Sequence, residues 1–150
     1  MTQTLEKASL LNKIDFKDYD WAKNNPLSQI VTDYGVVYVT SITRDGCSGC
    51  EEQKPLFQEL AQKVGKEYPG KVSFSNIHIR YVEDDPGQSQ EAKSVFGHGS
   101  YPTYMVHVKS RHGLLELYRA AYPSMEELQK QIVDAFELAD LYGKDAEKTR

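Results

Sequence analysis

The chain has 150 residues, 39% of them hydrophobic, and its 18 basic and 22 acidic residues give a formal net charge of −4. This length is usual for one domain that buries its own core. The sequence shows no basic face interleaved with aromatic residues, so a nucleic-acid partner is not expected. Its start lacks the pattern of a secretory signal, and no apolar run approaches the ~20 residues that span a bilayer. We therefore expect a cytoplasmic protein with no membrane partner.

The first half of the chain predicts a strand and then a helix, with two cysteines between them. Residues 1–34 are predicted to form a helical or strand extension of the same domain. Within them, Asn25 and Pro26 favour a helix start, and the predicted helix runs to Tyr34. Residues 35–42, GVVYVTSI, are nearly continuous in apolar character, which is typical of a strand buried on both faces. After the cysteines, apolar residues recur at helical spacing, at Leu56, Phe57, Leu60, Ala61 and Val64.

The next segment predicts a strand, a short helix and a hairpin. Residues 71–82, KVSFSNIHIRYV, alternate as a strand does, which places Asn76 and His78 on one face. A short helix is predicted for residues 88–96, after the turn signal DDPG. The β-rich runs TYMVHVK and LLELYRA are joined by SRHG, which predicts an antiparallel hairpin.

The last element is a predicted helix whose start carries a capping-box pattern, Ser124 followed by Glu127. Residues 142–150 are predicted to form a polar C-terminal tail. The order of elements predicts an α/β fold in which a central mixed β-sheet is flanked by helices on both faces.

The only two cysteines, Cys47 and Cys50, are separated by two residues at the predicted start of a helix. At this spacing they lie on one side of the first turn, near enough to form a disulfide or to act as a dithiol. The helix N-terminus is expected to stabilise a thiolate on Cys47 and so to lower its pKa. Cys50, one turn further and less exposed, would then be the resolving thiol. No metal is expected, because two thiolates and four histidines without matching spacing would require a dimer to complete a zinc site.

Beyond this spacing, the sequence resembles the thioredoxin superfamily. The shared features are the strand before Cys47, Pro55 five residues after Cys50, the SYPT segment at 100–103, and the hairpin followed by a helix. The resemblance covers residues 35–141, which we take as a thioredoxin-like domain.

The resemblance implies roles for further residues. The Tyr101–Pro102 bond would be cis, in a loop that faces the cysteines, and the backbone of Tyr101 would pair with an extended substrate segment. Tyr101, Pro102 and Gly46 are therefore the expected substrate-binding residues. Pro55 and Ser41 are expected to support the site, and Pro55 does so by removing a helical N–H and bending the helix.

The sequence departs from the thioredoxin pattern around the cysteines. Ser48 and Gly49 stand where thioredoxins have Gly and Pro, and Gly46 replaces a Trp. Ser41 occupies the position of a buried acid. Since a serine hydroxyl is not a general base near neutral pH, help in deprotonating Cys50 must come from water or another group.

Two functions from different classes follow. The first is a thiol-disulfide oxidoreductase in which Cys47 attacks and Cys50 resolves, with no cofactor beyond the redox-active Cys47–Cys50 disulfide. Its partners would be a disulfide-containing protein substrate and a dithiol or reductase as electron donor. The second is a binding module or redox sensor that uses the groove beside Pro102 without efficient turnover.

Other residues near the motif have more ordinary expected roles. His98, four residues before Pro102, is expected to be a loop histidine satisfied by backbone or solvent. The side chain of Tyr101 either faces substrate or packs. Solvated surface charge is expected for the remaining group: Arg44, Asp45, Glu51 and Glu52.

Overall fold

The computed structural model describes residues 11–21, 25–81 and 87–148, and the predictions that fall on the remaining residues lie outside this part. In the described part, five strands form one sheet of order β1-β3-β2-β4-β5. The strands are β1 Leu11–Asp15, β2 Val37–Arg44, β3 Val72–Ile79, β4 Thr103–Ser110 and β5 Gly113–Ala121. The helices are α1 Ser48–Glu67, α2 Gly87–Phe96 and α3 Met125–Lys148, with 3-10 turns at Phe16–Asp18 and Pro26–Gln29.

The sheet is mixed, as predicted. β3 pairs in parallel with both β1 and β2, whereas β4 pairs antiparallel with β2 and with β5. The predicted hairpin is thereby confirmed. β2 lies inside the sheet, and its first six residues are buried, which explains why that run is nearly continuous in apolar character.

Each face of the sheet carries its own apolar core. Helices α1 and α3 pack on one face, where Phe57, Phe74 and Leu128 are among the buried residues. Helix α2 and the segment before β2 cover the other face, where Trp21 and Phe96 pack edge to face. Helices on both faces of a mixed sheet confirm the predicted fold class.

The helix predicted from Asn25 to Tyr34 is wrong in extent. Asn25 does cap it, because its Oδ1 accepts the Leu27 N–H at 3.1 Å, and Pro26 takes the first position. The element is nevertheless a single 3-10 turn that ends at Gln29. Asp33 donates its N–H to the Tyr38 hydroxyl at 2.9 Å, so this tertiary contact replaces a further helical bond.

Described residues on both sides of the predicted 35–141 domain take part in its secondary structure. β1 pairs with β3 along its whole length, so the N-terminal segment belongs to the sheet. Helix α3 continues to Lys148, so residues 142–148 are helical rather than a tail. A Cβ on Gly143 would lie 3.4 Å from the Cα of Gly35, which places this last part of the helix against the chain that leads into β2.

Candidate redox site

The two cysteines meet at the start of α1. Their Cα atoms are 5.2 Å apart and their sulfurs lie at disulfide-bonding distance. Cys47 is the N-cap of the helix, with extended backbone angles, and its Sγ accepts the Cys50 N–H at 3.1 Å. The sulfur therefore occupies the place of the side-chain oxygen in an ordinary N-cap. A thiolate there would face both this N–H and the positive end of the helix dipole.

The turn before Cys47 is shaped by a backbone requirement. Gly46 has φ +70°, a conformation that L side chains rarely adopt. Apart from its chain neighbours, no atom of the described residues lies within 4 Å of the position that its Cβ would occupy. Its neighbour Asp45 donates its N–H to the Ile79 carbonyl and accepts the Tyr81 N–H at its carboxylate. The turn is thus tied to the end of β3.

The loop that carries the proline lies against the cysteine turn. The Tyr101–Pro102 bond is cis. A Cβ on Gly49 would lie 3.3 Å from Pro102 Cδ, so the proline ring and the start of α1 are in close contact. Gly49 therefore permits a close contact between Pro102 and the start of α1, and a larger residue at position 49 would push the two apart.

The side chain of Tyr101 packs beside α2. Its hydroxyl donates to the Ser89 carbonyl at 3.3 Å and accepts the Ser89 hydroxyl at 3.1 Å. Its ring meets His98 edge to face, with the centroids 4.6 Å apart. The side chain thus has packing partners, and pairing of the Tyr101 backbone with substrate stays a prediction.

His98 differs from the expected loop histidine. It is buried, and neither ring nitrogen has a hydrogen-bond partner within the described residues. Burial lowers its pKa to about 4, and the charges of Lys93 and Arg119 act in the same direction. The described residues thus provide no backbone group that satisfies this ring.

Tyr122 lies beside the cysteine turn, and no pattern in the sequence predicts this position. It has φ +50° and donates its N–H to the Pro102 carbonyl at 3.1 Å. Its ring lies over Gly49, 3.1 Å from where a Cβ would stand, and its hydroxyl donates to the Glu52 carboxylate. This bond to Glu52 raises the pKa of Tyr122. A half-exposed aromatic ring therefore borders both the cysteine turn and the proline loop.

Both Cys50 and Ser41 line a cleft of about 550 Å³. Ser41 is buried, and its Oγ accepts a hydrogen bond of 2.8 Å from Asn76 Nδ2. Helix α1 continues past the exposed Pro55 to Glu67. The support attributed to Pro55 stays a prediction, whereas Ser41 does lie beside the cysteine pair.

The sheet order and the helices on its two faces define an α/β thioredoxin-like fold. No protein-family model and no curated protein matches the sequence. Among solved structures, the chain is similar to thioredoxin from Trichomonas vaginalis, with a TM-score of 0.61 and 11% identity over 84% of this chain and 97% of that chain. It is also similar to thioredoxin from Malassezia sympodialis, with a TM-score of 0.54 and 21% identity over 83% and 89%.

A third similar chain belongs to the complex of ferredoxin:thioredoxin reductase with thioredoxin f2. Its TM-score is 0.56, with 14% identity over 83% of this chain and 94% of that chain. At identities this low, the likeness shows the fold alone.

Two searches of the described ranges complete the picture. None of the helices there combines the length and the apolar character needed to cross a membrane. In the same ranges, no three His, Cys, Asp or Glu side chains come together in a way that could hold a metal ion.

Proposed function

We propose that the protein is a thiol-disulfide oxidoreductase that reduces or exchanges protein disulfides, with Cys47 as nucleophile and Cys50 as resolving thiol. One observation carries the proposal: the Sγ of Cys47 is the N-cap of a 20-residue helix and accepts the Cys50 N–H. This environment stabilises a thiolate, and the thiolate is the form that attacks a disulfide.

The transfer of electrons takes place at the two cysteines. The Cys47 thiolate attacks one substrate sulfur, a mixed disulfide forms, and the other substrate sulfur leaves as a thiolate. The Cys50 thiolate then attacks the Cys47 sulfur, which forms the Cys47–Cys50 disulfide and releases the second substrate sulfur. Two electrons have passed to the substrate, and a dithiol or a reductase must return them.

The surroundings of the cysteines suit a protein substrate. None of the described residues crowds the Cβ position of Gly46, which favours approach of an extended chain to Cys47, and the Pro102 loop borders the same turn. A reductase is a reasonable electron donor because one chain of similar fold comes from a complex with such an enzyme. The substrate-binding roles of Gly46, Tyr101 and Pro102 are part of this proposal.

Trapping of mixed disulfides tests the assigned roles. Cys50→Ser should still attack a protein disulfide but cannot resolve it, so the partner stays attached at Cys47 on a non-reducing gel. Cys47→Ser should trap almost nothing, because the more deeply placed Cys50 lacks the N-cap position. The double variant Cys47→Ser/Cys50→Ser is the matched control. Equal trapping by the two single variants would contradict the assignment.

A redox-sensing binding module is the second candidate, and the burial of the sulfurs favours it. Cys47 and Cys50 are only 8% and 5% exposed, and a covered disulfide exchanges slowly. Turnover separates the two functions. Repeated reduction of a protein disulfide by catalytic amounts of the wild-type chain, with a dithiol as donor, would support the enzyme, and a single stoichiometric exchange would support the sensor.

A further inference from the structure

The resolving step needs a proton acceptor for Cys50. This thiol is buried, and only its thiolate form can attack the mixed disulfide, so its proton must be removed first. Ser41, which lines the same cleft, is not a base near neutral pH. A base must therefore be reached through the cleft.

The strand register places polar side chains beneath the start of α1. In the parallel pair β2 and β3, Ser41 lies opposite Asn76, and Thr43 lies opposite His78. Alternation along each strand puts these four residues on one face. The same face is apolar further back, at Val39 and Phe74, which belong to the core under α1. The face thus changes from apolar to polar where the strands end below the cysteines.

These side chains form one hydrogen-bonded chain. Asn76 Nδ2 donates to Ser41 Oγ at 2.8 Å and to Thr43 Oγ1 at 3.1 Å. Thr43 Oγ1 lies 2.9 Å from His78 Nδ1, and His78 Nε2 lies 2.7 Å from Asp45 Oδ1. Because Asp45 as a carboxylate accepts, Nε2 carries the proton of a neutral ring, and Nδ1 accepts the Thr43 hydroxyl.

This arrangement makes His78 a proton acceptor backed by a carboxylate. A histidine with one nitrogen held by an aspartate can take a proton on the other, and the aspartate stabilises the imidazolium that forms. The hydrogen bond from His78 lowers the pKa of Asp45, so Asp45 is a carboxylate across the working range. Both side chains are partly exposed, at 41% and 50%, so the acquired proton can pass to solvent.

The cleft connects this pair to the resolving thiol. Cys50, Thr43, His78 and Asp45 all line it, and its volume of about 550 Å³ has room for several water molecules at roughly 30 Å³ each. The other charged groups that line it are three acids and three bases, whose formal charges sum to zero: Asp15, Asp18, Glu51, Lys13, Arg44 and Lys54.

We propose that the His78–Asp45 pair, through the Thr43 hydroxyl and cleft water, accepts the Cys50 proton during resolution of the mixed disulfide. The thiol proton passes to water, water protonates Thr43 Oγ1, and Thr43 gives its own proton to His78 Nδ1. The Cys50 thiolate then forms its bond to the Cys47 sulfur while the bond from Cys47 to substrate breaks. The departing substrate thiolate takes up a proton from solvent. The His78 imidazolium then releases its own proton to solvent, which restores the proton balance. Asn76 positions Thr43 and does not itself transfer a proton.

Stopped-flow reaction of the reduced protein with dipyridyl disulfide tests this relay, which rests on the proposed function. Attack by Cys47 releases one thiopyridone at a rate proportional to reagent concentration. Resolution by Cys50 releases a second thiopyridone at a rate independent of that concentration. The first phase therefore reports the fold and Cys47, and the second reports the proton relay.

His78→Gln retains an amide that can donate to Asp45 but cannot accept a proton. General acid–base catalysis contributes about 10²–10⁴-fold in enzymes, and we expect the second phase to slow by about tenfold or more near neutral pH, with the first phase unchanged. In alkali, hydroxide deprotonates the thiol directly, so the ratio of wild-type to variant rates should fall toward one there.

Two further variants sharpen the result. Thr43→Val keeps the side-chain shape without the hydroxyl and should slow the second phase as His78→Gln does. His112→Gln, in the exposed hairpin turn, should change neither phase. An unchanged second phase in His78→Gln or Thr43→Val, or equal slowing in His112→Gln, would overturn the relay. Absence of the first phase in the wild type would instead overturn the proposed function.

Discussion

At the scale of single residues, Gly46 and Gly49 are glycine for different physical reasons. Gly46 is set by its backbone, because a φ of +70° is strained for any L side chain. Gly49 is set by its neighbours, since a Cβ there would lie 3.1 Å from the Tyr122 ring and 3.3 Å from Pro102. The departures from the thioredoxin pattern thus accompany a tyrosine that covers the turn. Tyr122 could not be inferred from its sequence position, because only the fold brings the end of β5 beside Pro102.

The burial of His98 leads to a prediction about how the free energy of unfolding depends on pH. An imidazole in an unfolded chain takes up a proton near pH 6.5, whereas His98 in the folded protein does so near pH 4. Between these values the unfolded state binds more protons, so the free energy of unfolding falls as the pH is lowered. The full loss from this one group is roughly 3 kcal/mol once the pH is below both values.

His98→Leu should remove most of this pH dependence between pH 6.5 and 4.5, as measured by urea unfolding at several pH values. Burial also lowers the pKa of His107, so a smaller slope of the same sign should remain. His112→Gln is the control, because His112 is exposed. A slope in His98→Leu as steep as that of the wild type would show that this ring is not the source.

At the scale of elements, periodicity predicted the strands well because each strand's burial follows from its own sequence. Alternation already placed Asn76 and His78 on one face, and the structure shows them there. What alternation cannot supply is the register of β2 against β3, which brings Thr43 opposite His78. The hydrogen-bonded chain below Cys50 depends on that tertiary pairing, so no pattern within one strand could reveal it.

The errors at element ends have the same origin. Asn25 and Pro26 predict the start of the 3-10 turn Pro26–Gln29, but the end of this turn depends on a contact between Asp33 and Tyr38. The last seven described residues, 142–148, are rich in polar side chains, yet they continue α3 with Ala146 buried. The local amino-acid composition does not predict such tertiary contacts.

The start of α3 gives the element-scale prediction. Ser124 Oγ accepts the Glu127 N–H at 3.1 Å, as the capping-box pattern predicts, while the Glu127 carboxylate accepts from Gln131. Ser124→Ala should lower the free energy of unfolding by about 1 kcal/mol, the usual cost of losing an N-cap. Ser124→Asp restores an acceptor that also favours the helix dipole and should recover most of the loss. Equal midpoints of urea unfolding for the Ala and Asp variants would contradict a capping role.

At the scale of the whole molecule, the cysteine site depends on the sheet, which apolar cores on both of its faces stabilise. One core lies under α1 and α3, and the other lies under α2 and the segment before β2. That segment supplies a strand of the sheet and five buried side chains: Ile14, Phe16, Trp21, Leu27 and Val31. Each fully buried side chain of this kind contributes about 1.5–3 kcal/mol, so together they rival the ~5–15 kcal/mol that stabilises a whole domain.

A chain that begins at residue 35, where the thioredoxin resemblance begins, should therefore fail to fold on its own. Without β1 and the five buried side chains of this segment, the face formed by Ile42, Ile77 and Met105 would be open to water. We expect the fragment 35–150 to show no cooperative urea transition by circular dichroism and to bind an apolar dye. The fragment 11–148, which keeps every described element, is the control and should unfold cooperatively. A cooperative transition of 35–150 at the midpoint of that control would show that the second core does not need the N-terminal segment, and that the redox site can stand on residues 35–150 alone.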